Sequence, residues 1–380
     1  MFTRKWSLVV RGLDRLKSIL LLISILGPSL FPEVKAIKYL FVLYPLFFFQ
    51  ELNGKLVLKT GFQKGNLILA VLSLFGIMIN LNSPGLVLFL VLVSTLFLTY
   101  LRYMNMLLSI VLFYFLIYVT IGLIFGVEVR YDIESFVGSN TSDFEYFLNQ
   151  YTFIFPMLFI YFWGDANYKS LIAFVLSIIV FKRIAFLALI LGFVILIFRI
   201  RLSIKYLLFT IFSLVSLYLY FCYHIRNEFV ASFISEMFGY DVGYLMMGRN
   251  ILYGETWDNL TGIYWLLGAG AGASSLLTLE LYDDLLHNDL LKVLYEFGVV
   301  ALLVLLHNYI RDITSTKVLA LYSLLLLFFA TDNILIYPQP MLVLGMCLIS
   351  LRRKDLSSLP HGVVRGALDP PIKLGGKDLG

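Results

Sequence analysis

MNMLLSIVLFYFLIYVTIGLIFG, residues 104–126, is the stretch that decides the fold class. It carries no charged side chain and is close in length to the ~20 apolar residues that a helix needs to cross a bilayer. Comparable apolar blocks recur at 18–32, 37–50, 65–81, 84–101, 150–164, 168–181, 184–199, 204–222, 288–306, 315–330 and 333–351. Because a helix satisfies its own backbone hydrogen bonds in lipid, the sequence predicts an all-α, polytopic integral membrane helical bundle of about twelve transmembrane helices.

The composition agrees with a membrane protein. The chain has 380 residues, of which 60% are hydrophobic and 14% are charged, whereas a soluble domain has about 45–50% apolar and about 25% charged residues. The net charge of +5 is accounted for by basic cytoplasmic segments, so no nucleic-acid partner is predicted. Cys222 and Cys347 both fall in predicted spans and form no metal-binding or disulfide pattern.

The distribution of Lys and Arg predicts that both termini are cytoplasmic. With the N-terminus inside, the inside segments hold Arg4, Lys5, Arg11, Arg15, Lys17, Lys55, Lys59, Lys64, Arg102, Lys169, Arg199, Arg201, Lys205, Arg311, Lys317, Arg352, Arg353 and Lys354. The outside segments hold only Lys35, Lys38, Arg130, Lys182, Arg183, Arg226 and Arg249. We therefore expect a transmembrane domain over 1–354, followed at 355–380 by a disordered cytoplasmic tail or an expression remnant.

Two predicted external segments are long, 127–149 and 223–287. The second is far longer than a connection between two spans requires, and loops of that length are usually functional or disordered. Its composition is not that of a disordered segment, because it is rich in aromatic residues and Met. These are Phe229, Phe233, Met237, Phe238, Tyr240, Tyr244, Tyr253, Trp257, Tyr264 and Trp265. Since such side chains pack together or lie at the membrane interface, we expect short amphipathic helices here.

Three basic residues on the predicted outer side are candidates for binding an anion. Lys182 and Arg183 fall in a turn of almost no length between two spans, at the outer membrane face. Charge at that depth indicates a function by default, although both side chains could equally reach lipid headgroups. Arg249 could hold phosphate oxygens through its bidentate guanidinium. The alternative for Arg249 is a surface ion pair with an acid of the same loop.

The small-residue run LLGAGAGASS, residues 266–275, includes Gly268 and Gly270. It lacks the Gly-Lys-Ser/Thr ending of a nucleotide-binding P-loop. The run is typical of a flexible turn or a close helix contact, and a backbone nest for a phosphate is a weaker alternative.

The stretch YDDLLHNDLLKVLYEFG, residues 282–298, places polar residues at the start of an apolar segment. On a helix, Asp284 would share a face with His287, and a carboxylate there could orient the imidazole of a catalytic base. The alternative for His287 is an interfacial histidine near a helix start. Lys292 and Glu296 are spaced to neutralise one another, so we favour a structural ion pair for them.

No pattern in the sequence indicates a cofactor or a catalytic metal. The chain has no HExxH motif, no clustered Cys and His residues and no external DxD motif. It also has no GxSxG motif that would supply the serine of a hydrolase triad.

The run from residue 247 onward resembles bacterial O-antigen polymerases and O-antigen ligases. Their shared pattern is Gly-Arg followed by an aromatic residue, then a Gly-x-Gly turn, then His-Asn opening a helix. In this chain the pattern falls on Gly248, Arg249, Tyr253, Trp257, Gly268, Gly270, His287, Asn288, Leu291, Glu296 and Gly298. The resemblance extends more loosely to Lys182 and Arg183 and to the many-span topology with one long external loop.

This resemblance implies a glycosyltransferase of the bacterial inner membrane. Enzymes of these families act on undecaprenyl-diphosphate-linked oligosaccharides at its outer face, by metal-independent and inverting transfer. The resemblance implies that His287 takes a proton from the acceptor sugar, while Arg183 and Arg249 act with Lys182 on the leaving diphosphate. Membrane lipids and a chain-length regulator protein are the implied partners. Supporting roles are implied for Asn288, Asp284, Gly248, Gly268 and Gly270.

Three activities stay open at this point. We favour a polymerase that moves a growing glycan onto another lipid-linked repeat unit, because nothing in the sequence suggests a docking surface for lipid A core. An O-antigen ligase, which transfers glycan to lipid A core, would share the same residues. A flippase or other transporter would use Lys292 and Glu296 as a polar pathway, but transporters often contain internal repeats and none is evident here.

Overall fold

The computed structural model describes residues 2–30, 40, 43, 58, 60–79, 82–101, 103–125, 149–180, 182–201, 203–225, 227–246, 248–282 and 286–357. Within these residues the regular structure is helical and no strand is present. The predicted span 37–50, nearly all of the predicted external segment 127–149 and the tail from 358 onward lie outside the described residues.

The helices before the long external segment follow the predicted apolar blocks. They are α1 (Phe2–Leu30), α2 (Gly61–Ile79), α3 (Ser83–Leu96), α4 (Met104–Ile124), α5 (Ile154–Phe162), α6 (Asn167–Ile179), α7 (Arg183–Ile197) and α8 (Ile204–His224). Short 3-10 turns extend α3 at Phe97–Tyr100 and precede α5 at Asn149–Phe153.

Short helices fill the described part of residues 225–287, whereas the external location of this segment stays a prediction. They are α9 (Glu228–Phe238), α10 (Val242–Met246), α11 (Arg249–Asp258), α12 (Tyr264–Leu267) and α13 (Ala273–Tyr282). Three longer helices follow: α14 (Asp289–Arg311), α15 (Thr316–Thr331) and, after a 3-10 turn at Ile334–Ile336, α16 (Pro338–Ser357).

Several helices are long and apolar enough to cross a membrane. Among the described residues these stretches are Gly61–Met78, Ser83–Tyr100, Met104–Ile124, Ile204–His224 and Asp289–Arg311. Shorter apolar helices occupy Tyr151–Phe162, Asn167–Ile179, Arg183–Ile197 and Thr316–Thr331. The structure is thus all-helical and compatible with a membrane protein, whereas the count of twelve spans stays a prediction.

The helices differ in how much of their surface the rest of the bundle covers. α5 is buried along its whole length and packs against α6, α7 and α16. α15 packs along α7, and α2 packs along both α3 and α14. On the outer helix α8, by contrast, Phe209, Leu214 and Leu217 are 75%, 60% and 65% exposed. Water solvates such a contiguous apolar surface poorly, so it suits contact with lipid.

Helix α14 is interrupted inside the bundle. At Gly298 the backbone has a φ of 78° and a ψ of 171°, which is not helical. Next to this break, the carbonyl oxygens of Tyr295 and Glu296 accept hydrogen bonds from the N–H groups of Ala269 and Gly270 at 2.8 and 3.0 Å. The small-residue run at 266–275 therefore docks on the broken helix.

Candidate functional site

Several helix ends meet at one place, and each contributes a polar side chain. Lys182 immediately precedes α7, Arg249 begins α11, His287 lies just before α14, and Asp332 immediately follows α15. The predicted span boundaries put all four of these residues in outside segments. The fold thus brings together side chains that are far apart in sequence.

Asp332 is the carboxylate at the centre of this cluster. Its Oδ2 lies 3.0 Å from Lys182 Nζ, and its Oδ1 lies 3.5 Å from His287 Nδ1, at the outer limit of a hydrogen bond. The N–H of Asn333 also donates to Oδ1, at 2.8 Å. Burial raises the pKa of Asp332, but the charge of Lys182 and the contact with His287 outweigh it and hold the pKa well below its ordinary value. The carboxylate is therefore ionised at neutral pH.

Lys182 is held by aromatic packing as well as by charge. Its side chain is only 13% exposed, and its ammonium lies 4.4 Å from the centre of the Phe153 ring. The ring face attracts a cation, and Phe153 itself packs edge-on against Phe328 of α15 with ring centroids 4.8 Å apart. Lys182 is therefore positioned rather than free to extend into lipid headgroups. Arg183, the first residue of α7, is partly buried beside it.

Two side chains of helix α11 bond to the backbone of the cluster. The guanidinium of Arg249 donates to the carbonyl oxygen of Thr331 at 3.0 Å, next to Asp332 in the chain. The hydroxyl of Tyr253 donates to the carbonyl oxygen of His287 at 3.2 Å. Gly248 is the residue that caps the start of this helix, so the Gly-Arg pair places Arg249 at the helix end that faces the cluster.

Asn288 fixes the start of α14 and with it the position of His287. Its Oδ1 accepts the N–H of Leu291 at 3.0 Å, which caps the helix. Its Nδ2 donates to the hydroxyl of Tyr218 on α8 at 3.1 Å. Asn288 is fully buried, whereas the side chain of His287 is 25% exposed. The imidazole can therefore be reached from outside the protein while its backbone is held.

The expected pairing of His287 with Asp284 does not rest on helical spacing. Residues 286–288 are not helical, and Asn288 is extended with a φ of −164°, so the shared helical face assumed for the two residues does not continue to His287. Asp284 itself lies outside the described residues. The described carboxylate that contacts the imidazole is Asp332.

Gly268 and Gly270 lie at the break in α14 and serve a close backbone contact. A Cβ on Gly268 would fall 2.3 Å from the carbonyl oxygen of Glu296, and a Cβ on Gly298 would fall 2.0 Å from the carbonyl oxygen of Leu266. Any side chain at either position would collide with backbone. Of the interpretations open from the sequence, the close helix contact is the one that the structure supports.

Lys292 and Glu296 form the ion pair that their spacing predicts. Their charged atoms are 3.9 Å apart, and the side chains are only 2% and 0% exposed. Ser274 donates to Glu296 Oε1 at 2.6 Å, and Lys292 Nζ donates to Ser275 at 3.3 Å. Because both serines belong to α13, this network fastens the small-residue segment to the first half of α14.

The sequence interpretation missed Asp332. It lies in a very short turn between two apolar blocks and belongs to no motif, so neither periodicity nor spacing marked it. One signal was present: a carboxylate at the predicted outer membrane edge, where charge is costly, needs a partner. Lys182 and Arg183 occupy the corresponding outer turn between two other blocks.

The cluster combines the groups needed to move a proton and to hold an anion. A partly exposed imidazole is backed by a buried carboxylate, which is the arrangement that orients a general base. Lys182 and Arg249 supply positive charge beside it. Among the described residues, no three His, Cys, Asp or Glu side chains group closely enough to hold a metal ion.

Comparisons of the chain with protein-family models, with curated proteins and with solved structures find no match.

Proposed function

We propose that the chain is a glycosyltransferase that polymerises undecaprenyl-diphosphate-linked oligosaccharide repeat units. The product would be an O-antigen or capsular polysaccharide, made at the outer face of the bacterial inner membrane. The observation that carries the proposal is the cluster in which Asp332 joins Lys182 to His287, with Arg249 bound to the adjacent carbonyl. This cluster suits a reaction in which a hydroxyl loses a proton while a diphosphate departs.

In the proposed reaction, His287 is the base. Its Nδ1 faces Asp332, so Nδ1 carries the proton and leaves Nε2 to take the proton of the acceptor hydroxyl. The acceptor oxygen then forms a bond to the anomeric carbon of the donor sugar. The bond from that carbon to the diphosphate oxygen breaks, and its electron pair leaves with the diphosphate.

The cations serve the leaving group. Negative charge grows on the diphosphate as its bond to the sugar breaks, and positioned positive charge stabilises that state more than the ground state. Lys182 and Arg249 are already held by Asp332 and by the Thr331 carbonyl, so little reordering precedes the reaction. Arg183 is proposed as a further ligand of the diphosphate.

The ion pairs agree with the predicted grouping of residues into two sides of the membrane. Asp165, in a predicted inside segment, pairs with Lys317 at 3.0 Å and with Lys354 at 2.8 Å, and both lysines are also predicted inside. Lys182 and Asp332, both predicted outside, pair with one another. Each pair joins residues of one predicted side, and the excess of Lys and Arg on the side of the termini is what favours placing that side in the cytoplasm.

The proposal is tested with the full-length protein in lipid nanodiscs. Purified protein is incubated with lipid-diphosphate-linked repeat units from the source strain, and the products are separated by size. A ladder of longer glycans is expected from the wild type, and loss of at least ~100-fold in rate is expected for His287→Ala. Asp165→Asn, at the opposite end of the bundle, is the matched control and should form the ladder.

Other outcomes of this assay distinguish the alternative functions. Transfer to added lipid A core without a ladder would identify a ligase in place of a polymerase. Absence of both products would overturn the glycosyltransferase proposal and leave transport. A transport path through Lys292 and Glu296 has little structural support, because that pair is almost fully buried and closed off by Ser274 and Ser275.

A further inference from the structure

We infer that an aromatic platform of Tyr223, Trp257 and Trp265 binds a sugar ring of the lipid-linked glycan. The inference rests on the proposed function and adds a glycan subsite to it. These residues come from the last turn of α8, from α11 and from α12, so tertiary folding brings them together.

The three rings contact one another in sequence, inclined to each other rather than face to face. The Trp257 and Trp265 ring centroids are 5.4 Å apart, and those of Tyr223 and Trp257 are 5.7 Å apart with a nearly perpendicular arrangement. Such packing fixes the rings, and Trp257 at the centre is partly buried against the core. Tyr223 remains 44% exposed and Trp265 40% exposed, so ring surface is left for a ligand.

Aromatic ring faces suit a sugar better than they suit most polar ligands. The face of an aromatic ring carries negative charge density, and the axial C–H groups of a pyranose carry partial positive charge. A sugar ring can therefore lie flat on the platform while its hydroxyls stay in water. An exposed apolar patch rimmed by polar residues is a usual mark of a binding surface.

The platform shares helix α11 with the candidate site. Arg249, Tyr253 and Trp257 are spaced by four residues on α11 and so form one stripe along the helix. Arg249 and Tyr253 contact the cluster at Thr331 and His287. With a rise of ~1.5 Å per residue, Trp257 lies about 12 Å along the helix from Arg249. Tyr253 between them is buried, but a glycan of a few sugars whose diphosphate lies at Arg249 is long enough to reach the platform.

The competing explanation is an anchor at the membrane interface, where Trp and Tyr are enriched. The same external segment offers a matched control for that explanation. Phe229 on α9 is 77% exposed and lies outside the platform. An interfacial role would be shared by Phe229, whereas glycan binding would be confined to the platform.

The first measurement is the concentration dependence of transfer with the lipid-linked repeat unit as substrate. For Trp265→Ala we expect KM to rise about 3- to 10-fold with kcat within about twofold of the wild type. Trp265→Phe should keep most of the affinity because it keeps a ring, and Phe229→Ala should leave KM unchanged. Unchanged KM in Trp265→Ala, or an equal rise in Phe229→Ala, would overturn the platform.

A second measurement does not depend on turnover. Lipid-free repeat-unit glycan is titrated into His287→Ala protein, and tryptophan fluorescence is followed. Saturable quenching is expected, and it should weaken when Trp265→Ala is added. If quenching is seen but the wild-type protein shows no transfer activity, the platform is supported and the proposed function is not. Absence of quenching would remove the platform whatever the transfer assay shows.

Discussion

A buried carboxylate decides how the candidate base is presented. Asp332 contacts the imidazole of His287 and the ammonium of Lys182 at once, so its removal disturbs both the proposed base and a proposed ligand of the diphosphate. We predict that Asp332→Asn lowers the transfer rate about 10²- to 10³-fold, because the amide would favour the wrong tautomer of His287. The measurement is the initial rate of ladder formation per amount of folded protein.

The same variant separates orientation from structure. Asn has nearly the shape of Asp, so the elution profile of Asp332→Asn on size exclusion should match that of the wild type. A rate within about threefold of the wild type would mean that His287 works without this carboxylate. His287→Gln, which keeps a polar side chain but no base, is the companion variant and should be at least as slow.

How far the sequence predicts the site is clear from Asp332 and His287. His287 was found because it opens an apolar block and matches a family pattern. Asp332 cannot be identified in this way, because the contact between the turn after α15 and the start of α14 depends on how the helices pack. Apolar periodicity carries little information on which helix ends meet. Charged residues at those ends do carry such information, because a charge at the membrane edge requires an oppositely charged partner nearby.

At the scale of one element, the broken helix α14 controls where the site sits. The break at Gly298 admits the backbone of Leu266, and a Cβ would fall 2.0 Å from its carbonyl oxygen. We predict that Gly298→Ala lowers the free energy of unfolding by about 2–4 kcal/mol, from backbone strain plus this collision. Thermal unfolding in detergent, converted with the wild-type entropy of unfolding, measures the loss.

Gly239 supplies the control for this prediction. It has a φ of 72° and a ψ of 13°, in the left-handed helical region, and a Cβ there would meet nothing within 4 Å. Gly298, with a ψ of 171°, lies instead in a region that almost only Gly adopts, so its backbone strain is at least as large. Gly239→Ala should therefore cost only the strain, about 1–2 kcal/mol. If the two variants lose the same stability, the contact with Leu266 adds nothing and the docking of the loop on α14 is not what holds the break.

The helix α14 could be predicted from the sequence, but its interruption could not. The apolar block 288–306 predicted the helix, and the structure extends it to Arg311. A single Gly in an apolar run is tolerated in a continuous helix, so Gly298 gave no sign of an interruption. Its cause lies in Ala269 and Gly270, which bond to carbonyls of α14 from another part of the chain.

At the scale of the whole molecule, the predicted orientation can be tested by labelling. Glu236 on α9 is exposed and predicted outside, and Arg201 is exposed and predicted inside. In a background with Cys222 and Cys347 replaced by Ser, we predict that a membrane-impermeant maleimide labels Glu236→Cys in spheroplasts. Arg201→Cys should react only after the membrane is permeabilised.

Labelling would also show whether an odd or an even number of spans separates the two positions. The predicted topology places one span, α8, between Arg201 and Glu236. Labelling of both variants in intact spheroplasts would contradict that arrangement and place the basic segment at Arg201 on the outer side. The reverse pattern would invert the whole topology and move the candidate site to the cytoplasm.

The docking of the small-residue loop on α14 has a consequence for the order of events during synthesis. Ala269 and Gly270 leave the ribosome before the carbonyl groups of Tyr295 and Glu296 that they bond to. The loop therefore cannot form these hydrogen bonds until the first half of α14 has been synthesised. Asp332 is synthesised later still. The cluster around Asp332 therefore cannot form until all helices up to α15 have been synthesised, and, of the described α-helices, only α16 follows it in the chain.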